Sequence, residues 1–369
     1  MPKLLHLAKM TGVSGMEKHL AILLPGLAKA GYEVHLLILI EPDHPMNDYA
    51  AGLQGVQVTQ HVIKRDLDIG LIGWLADFIK AGKFDALHTH LIHADMHGVL
   101  AAGRAGLRTI ITTGHNDDPF RRRLPIRLFQ RYLWQRVTRG IAISEALRTF
   151  MIRVEGAPPG KAVTVHYGLH PVNIGEGARS VVRHELGLPE QGTVFGSVAR
   201  LVEQKGLSDG LRAFWQVSRE ISDAHYVIVG DGPLRKKLQG EVEGYGIGHR
   251  VHFLGQRSDA QTIMAAFDAL LMPSHWEGFG LVALEAMAVR VPIIATNVSA
   301  LPEIIARGET GYLVPAREVE ALAQAMLDIG NYPDQARALG NAGRARLEQH
   351  FSAEGMIART VDVYHGVGL

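Results

Sequence analysis

The sequence predicts an α/β protein built from two doubly wound, Rossmann-like domains that face a central cleft. Three observations lead there. Short β-rich runs alternate with helical patterns along the chain, the order that parallel sheets covered by helices require. At 369 residues the chain exceeds one ordinary core, so two domains are expected. A Gly- and Pro-rich stretch, "HYGLHPVNIGEGARS" (166–180), follows a strand near the middle and reads as the linker. The domains expected are 1–168 and 172–351.

The first-half strands are "LLHLA", "EVHLLILI", "GVQVTQHV", "FDALHTH", "TIITTG", "GIAIS" and "AVTVH". The second-half strands are "TVFGSVA", "HYVIVGD", "RVHFLG", "ALLMPS" and "VPIIAT". Between them, residues 17–30, 94–106, 124–138, 207–220 and 316–329 repeat apolar side chains every three or four positions, the helical period. Doubly wound sheets take ligands at the carboxyl ends of their strands. Two such sheets in tandem point to a cleft. No repeat at solenoid spacing and no low-complexity tract interrupts the pattern.

Composition narrows the function classes. A hydrophobic fraction of 47% suits a globular α/β protein rather than a disordered one. The absence of cysteine rules out a disulfide framework and thiolate chemistry, and it fits a reducing compartment. The first twenty residues break into glycines too early for a signal peptide, and the apolar runs are strand-sized, too short to span a bilayer. A cytoplasmic protein is the expectation. The net charge of +1 hides an asymmetry. Residues 1–170 carry 20 Lys and Arg against 14 Asp and Glu; the remainder carries 18 against 23. Halves of opposite sign suit two domains with different ligands. The basic excess is too small for a nucleic-acid partner.

Three stretches of the second half could carry chemistry. "VFGSVARLVEQKGLSDGLRAF" (194–214) ends a strand, then offers Arg200, Lys205 and Gly206 before a helix. Two cations beside a helix start suit a diphosphate, because the helix end adds partial positive charge and free N–H groups. Two solvated loop charges remain the alternative. "VIVGDGPLRKKL" (227–238) puts Gly230 and Gly232 directly after a strand, where a ligand could approach the backbone. A plain turn before a helix explains them as well. "SHWEGFGLVALEAMA" (274–288) brackets Gly278, Phe279, Gly280 and Leu281 with Glu277 and Glu285. The amides at 279–281 can face an anion, and Glu277 can reach a polar group on its far side. Glu285 lies one to two turns into the helix, roughly 8 Å along at 1.5 Å per residue. It is the only charge from Gly278 to Val289. It either meets solvent or accepts hydrogen bonds from paired hydroxyls such as those of ribose.

The first half is less specific. Gly12 and Gly15 stand between the first strand and its helix, as a phosphate loop or a tight turn; no Gly-Lys-Ser/Thr completes a P-loop. "HTHLIHADMH" carries His88, His90, His93 and His97. His93 and His97 have metal-ligand spacing, but no His-Glu-x-x-His pattern accompanies them, so no metal site is assigned. His115 follows a strand at the expected cleft edge. Its imidazole could bond a hydroxyl there or sit on a surface loop. Residues 120–139 carry seven arginines and no acid. Arg123, Arg127 and Arg131 form one stripe, and Ile126, Phe129, Leu133 and Val137 another. Peripheral contact with an anionic membrane is one reading of this basic amphipathic segment. A surface helix with solvated arginines is the other.

Taken together, the runs "GVSGMEKHL", "FDALHTH", "TTGH", "IAISEAL", "GSVARLVEQKGLSDGLRAF", "VIVGDGPLR", "VHFLG", "PSHWEGFGLVALEAMA", "PEII" and "TGYLV" resemble the family 4 glycosyltransferases of the two-domain GT-B fold. The resemblance covers nearly the whole chain. It implies a first domain that binds the acceptor and a second that binds the donor, with a last helix, about 352–369, crossing back to the first. It implies a retaining transfer of a sugar from a nucleotide-diphosphate donor to a hydroxyl acceptor, with no metal and no other cofactor. A UDP-sugar leads among donors and GDP-mannose follows. Arg200 and Lys205 would neutralise the diphosphate. The amides of Phe279, Gly280 and Leu281 would hold phosphate and sugar oxygens. Glu277 would bind a sugar hydroxyl and Glu285 the ribose. Gly230 would lie along the donor, and the backbone near Gln256 and Arg257 would meet the base. His115 would contact the sugar near its anomeric centre, and Gly15 would sit by the acceptor and phosphate.

Three departures from the family pattern stand out. Ser14 and Gly15 replace two adjacent glycines, "YGLH" replaces Asn-Gly-Val-Asp in the linker, and Arg290 replaces a glycine. If position 290 is left-handed, a side chain there costs about 1–2 kcal/mol. A nucleotide-sugar epimerase or hydrolase, or a non-catalytic nucleotide-sugar binder, would share the architecture. The first two would turn over donor without an acceptor.

Overall fold

The computed structural model describes residues 1–63, 65, 68–175 and 177–369. Glu176, in the expected linker, lies outside the described residues. The chain divides into two units, Met1–Gly168 with Ala353–Leu369, and Leu169–Ser352.

The first unit holds a seven-stranded parallel sheet. Its strands are β1 (Lys3–Lys9), β2 (Glu33–Ile40), β3 (Val56–Val62), β4 (Ala86–His90), β5 (Ile110–Gly114), β6 (Arg139–Ala142) and β7 (Ala162–Thr164). They lie in the order β3-β2-β1-β4-β5-β6-β7. Every residue of β4 and β5 is buried, which is why these strands read as unbroken runs: helices cover both faces of a parallel sheet. The helix Gly15–Lys29 presses Leu20, Leu23, Leu24 and Leu27 into the core. The last helix, Ala353–His365, adds Met356 and Tyr364 to the same core. The chain can return here because its entry to and exit from the second unit run side by side. The Leu169 N–H donates to the Phe351 carbonyl at 2.9 Å.

The second unit holds a six-stranded parallel sheet of β8 (Val194–Val198), β9 (His225–Val229), β10 (Val251–Gly255), β11 (Ala269–Met272), β12 (Ile293–Thr296) and β13 (Gly311–Val314). Its order is β10-β9-β8-β11-β12-β13. Phe195, Phe214, Tyr226, Leu211 and Leu271 pack its core.

Two sequence expectations change. The helix expected over 124–138 ends at Trp134, because the backbone must straighten to reach β6: the Thr138 N–H already donates to the Ile110 carbonyl at 2.7 Å. The edge strand β13 was not among the strands read from the pattern.

Both strand orders reverse at one place. In the first sheet the chain winds outward from β1 and restarts at β4; in the second it winds outward from β8 and restarts at β11. Such a reversal leaves a crevice at the carboxyl ends of the two central strands, since their following helices lie on opposite faces.

Candidate active site

In the second unit, the loops at this crevice are residues 199–206 after β8 and 273–280 after β11. They are tied together at backbone level. The His275 N–H donates to the Gln204 carbonyl at 2.8 Å, and the Gln204 side-chain amide donates to the Trp276 carbonyl at 3.1 Å. Gly206 is what permits this closeness. Its φ is +60°, and a Cβ there would stand 2.0 Å from the Pro273 carbonyl oxygen.

The tie sets Lys205 against Glu277. The ammonium donates to both carboxylate oxygens, at 2.9 and 2.7 Å. Glu277 is held from two further sides. Ser274 Oγ donates to its carboxylate at 3.1 Å, and its backbone N–H donates to Ser299 Oγ, also 3.1 Å away. Ser299 adopts φ 49°, a left-handed setting uncommon for a non-glycine residue. Composition alone gave no signal for Ser299. Ser274 stood in the conspicuous stretch, but a lone serine has no signature. Behind the pair, His275 Nε2 lies 2.9 Å from Asp209 Oδ2 on the helix Leu207–Glu220. Arg200 stands exposed at the other end of the first loop.

Gly280, at φ +95°, caps the helix Leu281–Ala288. The first internal bond of this turn runs from the Ala283 N–H to the Gly280 carbonyl at 2.8 Å, so the amides of Phe279, Gly280 and Leu281 precede it, where a helix start presents its N–H groups. Glu285 is buried at 5% exposure, which removes the solvent-face reading. Four neighbouring strands, β10-β9-β8-β11, thus carry at their carboxyl ends Gln256 and Arg257, Gly230, Arg200 with Lys205, and Glu277 with Gly280. At about 4.8 Å per strand this row spans about 14 Å. Arg257 is exposed and clasps Asp259 through two bonds of 2.7 and 2.6 Å. Gly230 has a demand of its own: a Cβ there would stand 1.9 Å from the Ala199 carbonyl oxygen, so the protein needs the glycine whether or not a ligand does.

The first unit's crevice lies between β1 and β4. Gly12 and Gly15 differ from Gly230, since a Cβ at either would meet nothing within 4 Å. Ser14 is occupied locally. Its N–H and Oγ both donate to Glu17 Oε2, at 2.9 and 2.6 Å, across the first helical turn. His115 is buried and its two ring nitrogens face His90 (3.1 Å) and the Tyr167 hydroxyl, so the surface-loop reading fails. Burial holds the His115 imidazole well below its ordinary pKa, reinforced by His19 and Arg121, and the ring is neutral. His97 is likewise engaged, by the His93 carbonyl at 2.9 Å and by the Asp68 N–H at 3.3 Å, and its spacing from His93 reflects a helix face.

Residues 13–172 match the family described as Glycosyltransferase Family 4, and residues 179–346 match Glycosyl transferases group 1. The chain belongs to the family 4 glycosyltransferases. This glycosyltransferase is 26% identical over 354 residues to N-acetyl-alpha-D-glucosaminyl L-malate synthase of Bacillus anthracis, covering 92% of this chain and 91% of that one. It is 28% identical to D-inositol 3-phosphate glycosyltransferase of Mycolicibacterium gilvum, over 82% and 74% of the two chains. A solved structure of Anabaena Alr3699/HepE in complex with UDP and glucose superposes with a TM-score of 0.89 over 99% of this chain and 100% of that one, at 20% identity. That likeness shows the GT-B fold.

Proposed function

We propose that the protein is a retaining, metal-independent hexosyltransferase that moves a sugar from a UDP-sugar to an acceptor hydroxyl. The observation that carries this reading is the Lys205–Glu277 pair, fixed beside the Gly280 helix start at the strand-order reversal. A diphosphate entering there gives Lys205 a second anion. Glu277, held by Ser274 and Ser299, then turns an oxygen to a sugar hydroxyl.

In the reaction, the bond between the anomeric carbon and the diphosphate oxygen breaks. The acceptor oxygen bonds to that carbon on the same face, and the leaving phosphate takes the acceptor's proton. Arg200, Lys205 and the amides at 279–281 stabilise the charge that builds on the diphosphate. Among the described residues of the first unit no carboxylate is assigned as a nucleophile, whereas double displacement needs two carboxyls roughly 5 Å apart. Glu285 takes the ribose hydroxyls, the backbone by Gln256 and Arg257 the base, and Gly230 flanks the donor. In the first unit, His115 would serve the sugar only where the Tyr167 hydroxyl gives up its Nδ1, and Gly15 would serve the acceptor side; the open space at Gly15 supports the latter assignment.

UDP leads because the GT-B neighbour named above holds UDP. GDP-mannose is the second reading: a GDP-mannose-dependent mannosyltransferase of Mycobacterium tuberculosis is 31% identical over 51% of this chain. A thermal-shift screen of nucleoside diphosphates and their sugars tests both, because ligands of the native state raise its melting point. Stabilisation by UDP and not GDP is expected; the reverse would move the assignment to GDP-mannose. Anomeric configuration in the product, read by NMR, tests retention.

We also propose that the segment 120–139 meets an anionic membrane surface. Its arginine stripe, Arg123, Arg127 and Arg131, is exposed, and beside it runs an exposed apolar stripe of Leu124 (63%), Leu128 (60%) and Tyr132 (41%). The stripe expected from sequence turns inward at Leu133 and Val137. No helix among the described residues is long and apolar enough to cross a membrane.

A further inference from the structure

Beneath the first unit's crevice lies a chain of buried rings that the donor site does not use. Thr113 Oγ1 is 2.7 Å from His88 Nε2, and His88 Nδ1 is 2.6 Å from the Tyr364 hydroxyl. That hydroxyl is 3.4 Å from His6 Nε2; His6 Nδ1 is 3.0 Å from His90 Nε2; His90 Nδ1 is 3.1 Å from His115 Nε2. His115 Nδ1 closes the series on the Tyr167 hydroxyl. All seven residues are buried, and the four imidazoles come from two strands, β1 and β4, and the turn after β5.

The protons in this chain can be counted. A neutral imidazole has one N–H and one lone pair for its ring nitrogens, and a tyrosine hydroxyl donates one proton. Each link needs one proton between its two atoms. Two facing protons, or two facing lone pairs, would break a link where no water replaces it. If His88 donates from Nδ1 to Tyr364, then Tyr364 donates to His6 Nε2. His6 must then donate from Nδ1, and so must His90 and His115. If the first bond runs the other way, all four rings carry the proton on Nε2. A third arrangement, in which the Tyr364 oxygen accepts from both His88 Nδ1 and His6 Nε2, also fills every link but turns the buried Tyr364 proton away from the chain, so only the first two use that proton as well. Burial supports the neutral state throughout: it lowers the pKa of His6 to about 3 and those of His88, His90 and His115 well below their ordinary value.

We propose that His6, His88, His90 and His115 share a single tautomer, and that Tyr364, His6 and His90 are positioning residues that decide which nitrogen of His115 holds its proton. A residue of the last helix would thereby set the donor or acceptor character of a ring at the crevice. The bearing on catalysis rests on the reading that gives His115 to the sugar; the proton arrangement does not.

Two-bond proton–nitrogen NMR on uniformly 15N-labelled protein tests this, because protonated and bare imidazole nitrogens have well-separated shifts. Single-histidine substitutions assign the signals. The expected result is one tautomer in all four rings at neutral pH. One ring protonated on the opposite nitrogen, or any ring doubly protonated, overturns the proposal. So does a stoichiometric metal found in the isolated protein, since the nitrogens of His6, His88 and His90 lie within 4.8 Å of one another and an ion would take their lone pairs. In Tyr364→Phe, which removes one link, the His88 signals should shift away from the others while His6, His90 and His115 stay matched. An unchanged His88, or a split among the other three, counts against it. None of these readouts depends on enzymatic turnover, so failure of the transferase reading would appear separately, in the donor screen.

Discussion

Lys205 shows how one residue can be tested apart from the fold. Its ammonium reaches Glu277 from a loop whose shape is set by Gly206, so Lys205→Ala removes a charge without moving the backbone. A drop in kcat of about 100- to 1000-fold is expected, the usual loss when one preorganised donor to a developing charge is removed; steady-state kinetics with the donor found in the screen measures it. Arg290 tests a different kind of residue effect. It is exposed, at φ 59°, which meets the condition set by the glycine usual there in the family. The strain of about 1–2 kcal/mol, less the entropic cost of glycine of about 0.5–1 kcal/mol, leaves Arg290→Gly more stable by roughly 0.5–1 kcal/mol. Denaturant midpoints measure that, with turnover unchanged. Glu285 was legible because a lone charge in an apolar helix is informative. The ring chain was not: His6 and Tyr364 meet across 358 positions, and no local pattern encodes such a meeting.

At the scale of elements, the loops matter more than the strands they join. Gly206→Ala sets a Cβ 2.0 Å from the Pro273 oxygen at positive φ, so the loops at 199–206 and 273–280 must part. A loss of stability above about 2 kcal/mol is expected by chemical denaturation. The helix Leu124–Trp134 was legible as amphipathic, and the apolar stripe read from its period turns inward, but its second, exposed apolar stripe was not read. Leu133 is core, whereas Leu124, Leu128 and Tyr132 face outward. If this face meets lipid, Leu128→Glu should weaken sedimentation with anionic vesicles about tenfold, since burying a leucine contributes about 1.5–3 kcal/mol. Equal sedimentation of the variant would count against membrane contact. The central strands were the most legible elements because burial on both faces makes runs such as β8 and β11 nearly apolar.

For the whole molecule, the buried histidines give the first unit a dependence on acid. His6 and His19 have folded pKa values near 3 against an ordinary 6.5, with desolvation the main cause. The unfolded chain therefore binds protons that the folded one refuses between those values. Stability is fully present above about pH 6.5 and falls as pH drops toward 3. Hydrogen exchange at pH 7.5 and pH 5 should show protection lost first in β1, β4 and β5; unchanged protection there would mean the rings are not neutral and buried as described. Two doubly wound sheets were legible from alternation and length, and the GT-B assignment came with the family resemblance. The strand order was not, although it decides where the loops converge.

The central claim is that a diphosphate is gripped by Lys205 beside the Gly280 helix start. Calorimetric titration of wild type and Lys205→Ala with UDP and with UMP tests it most directly. Losing one charge-assisted bond should weaken UDP at least about tenfold and leave UMP within about twofold. Equal UDP affinity in the two proteins, or an equal loss for both nucleotides, would contradict it.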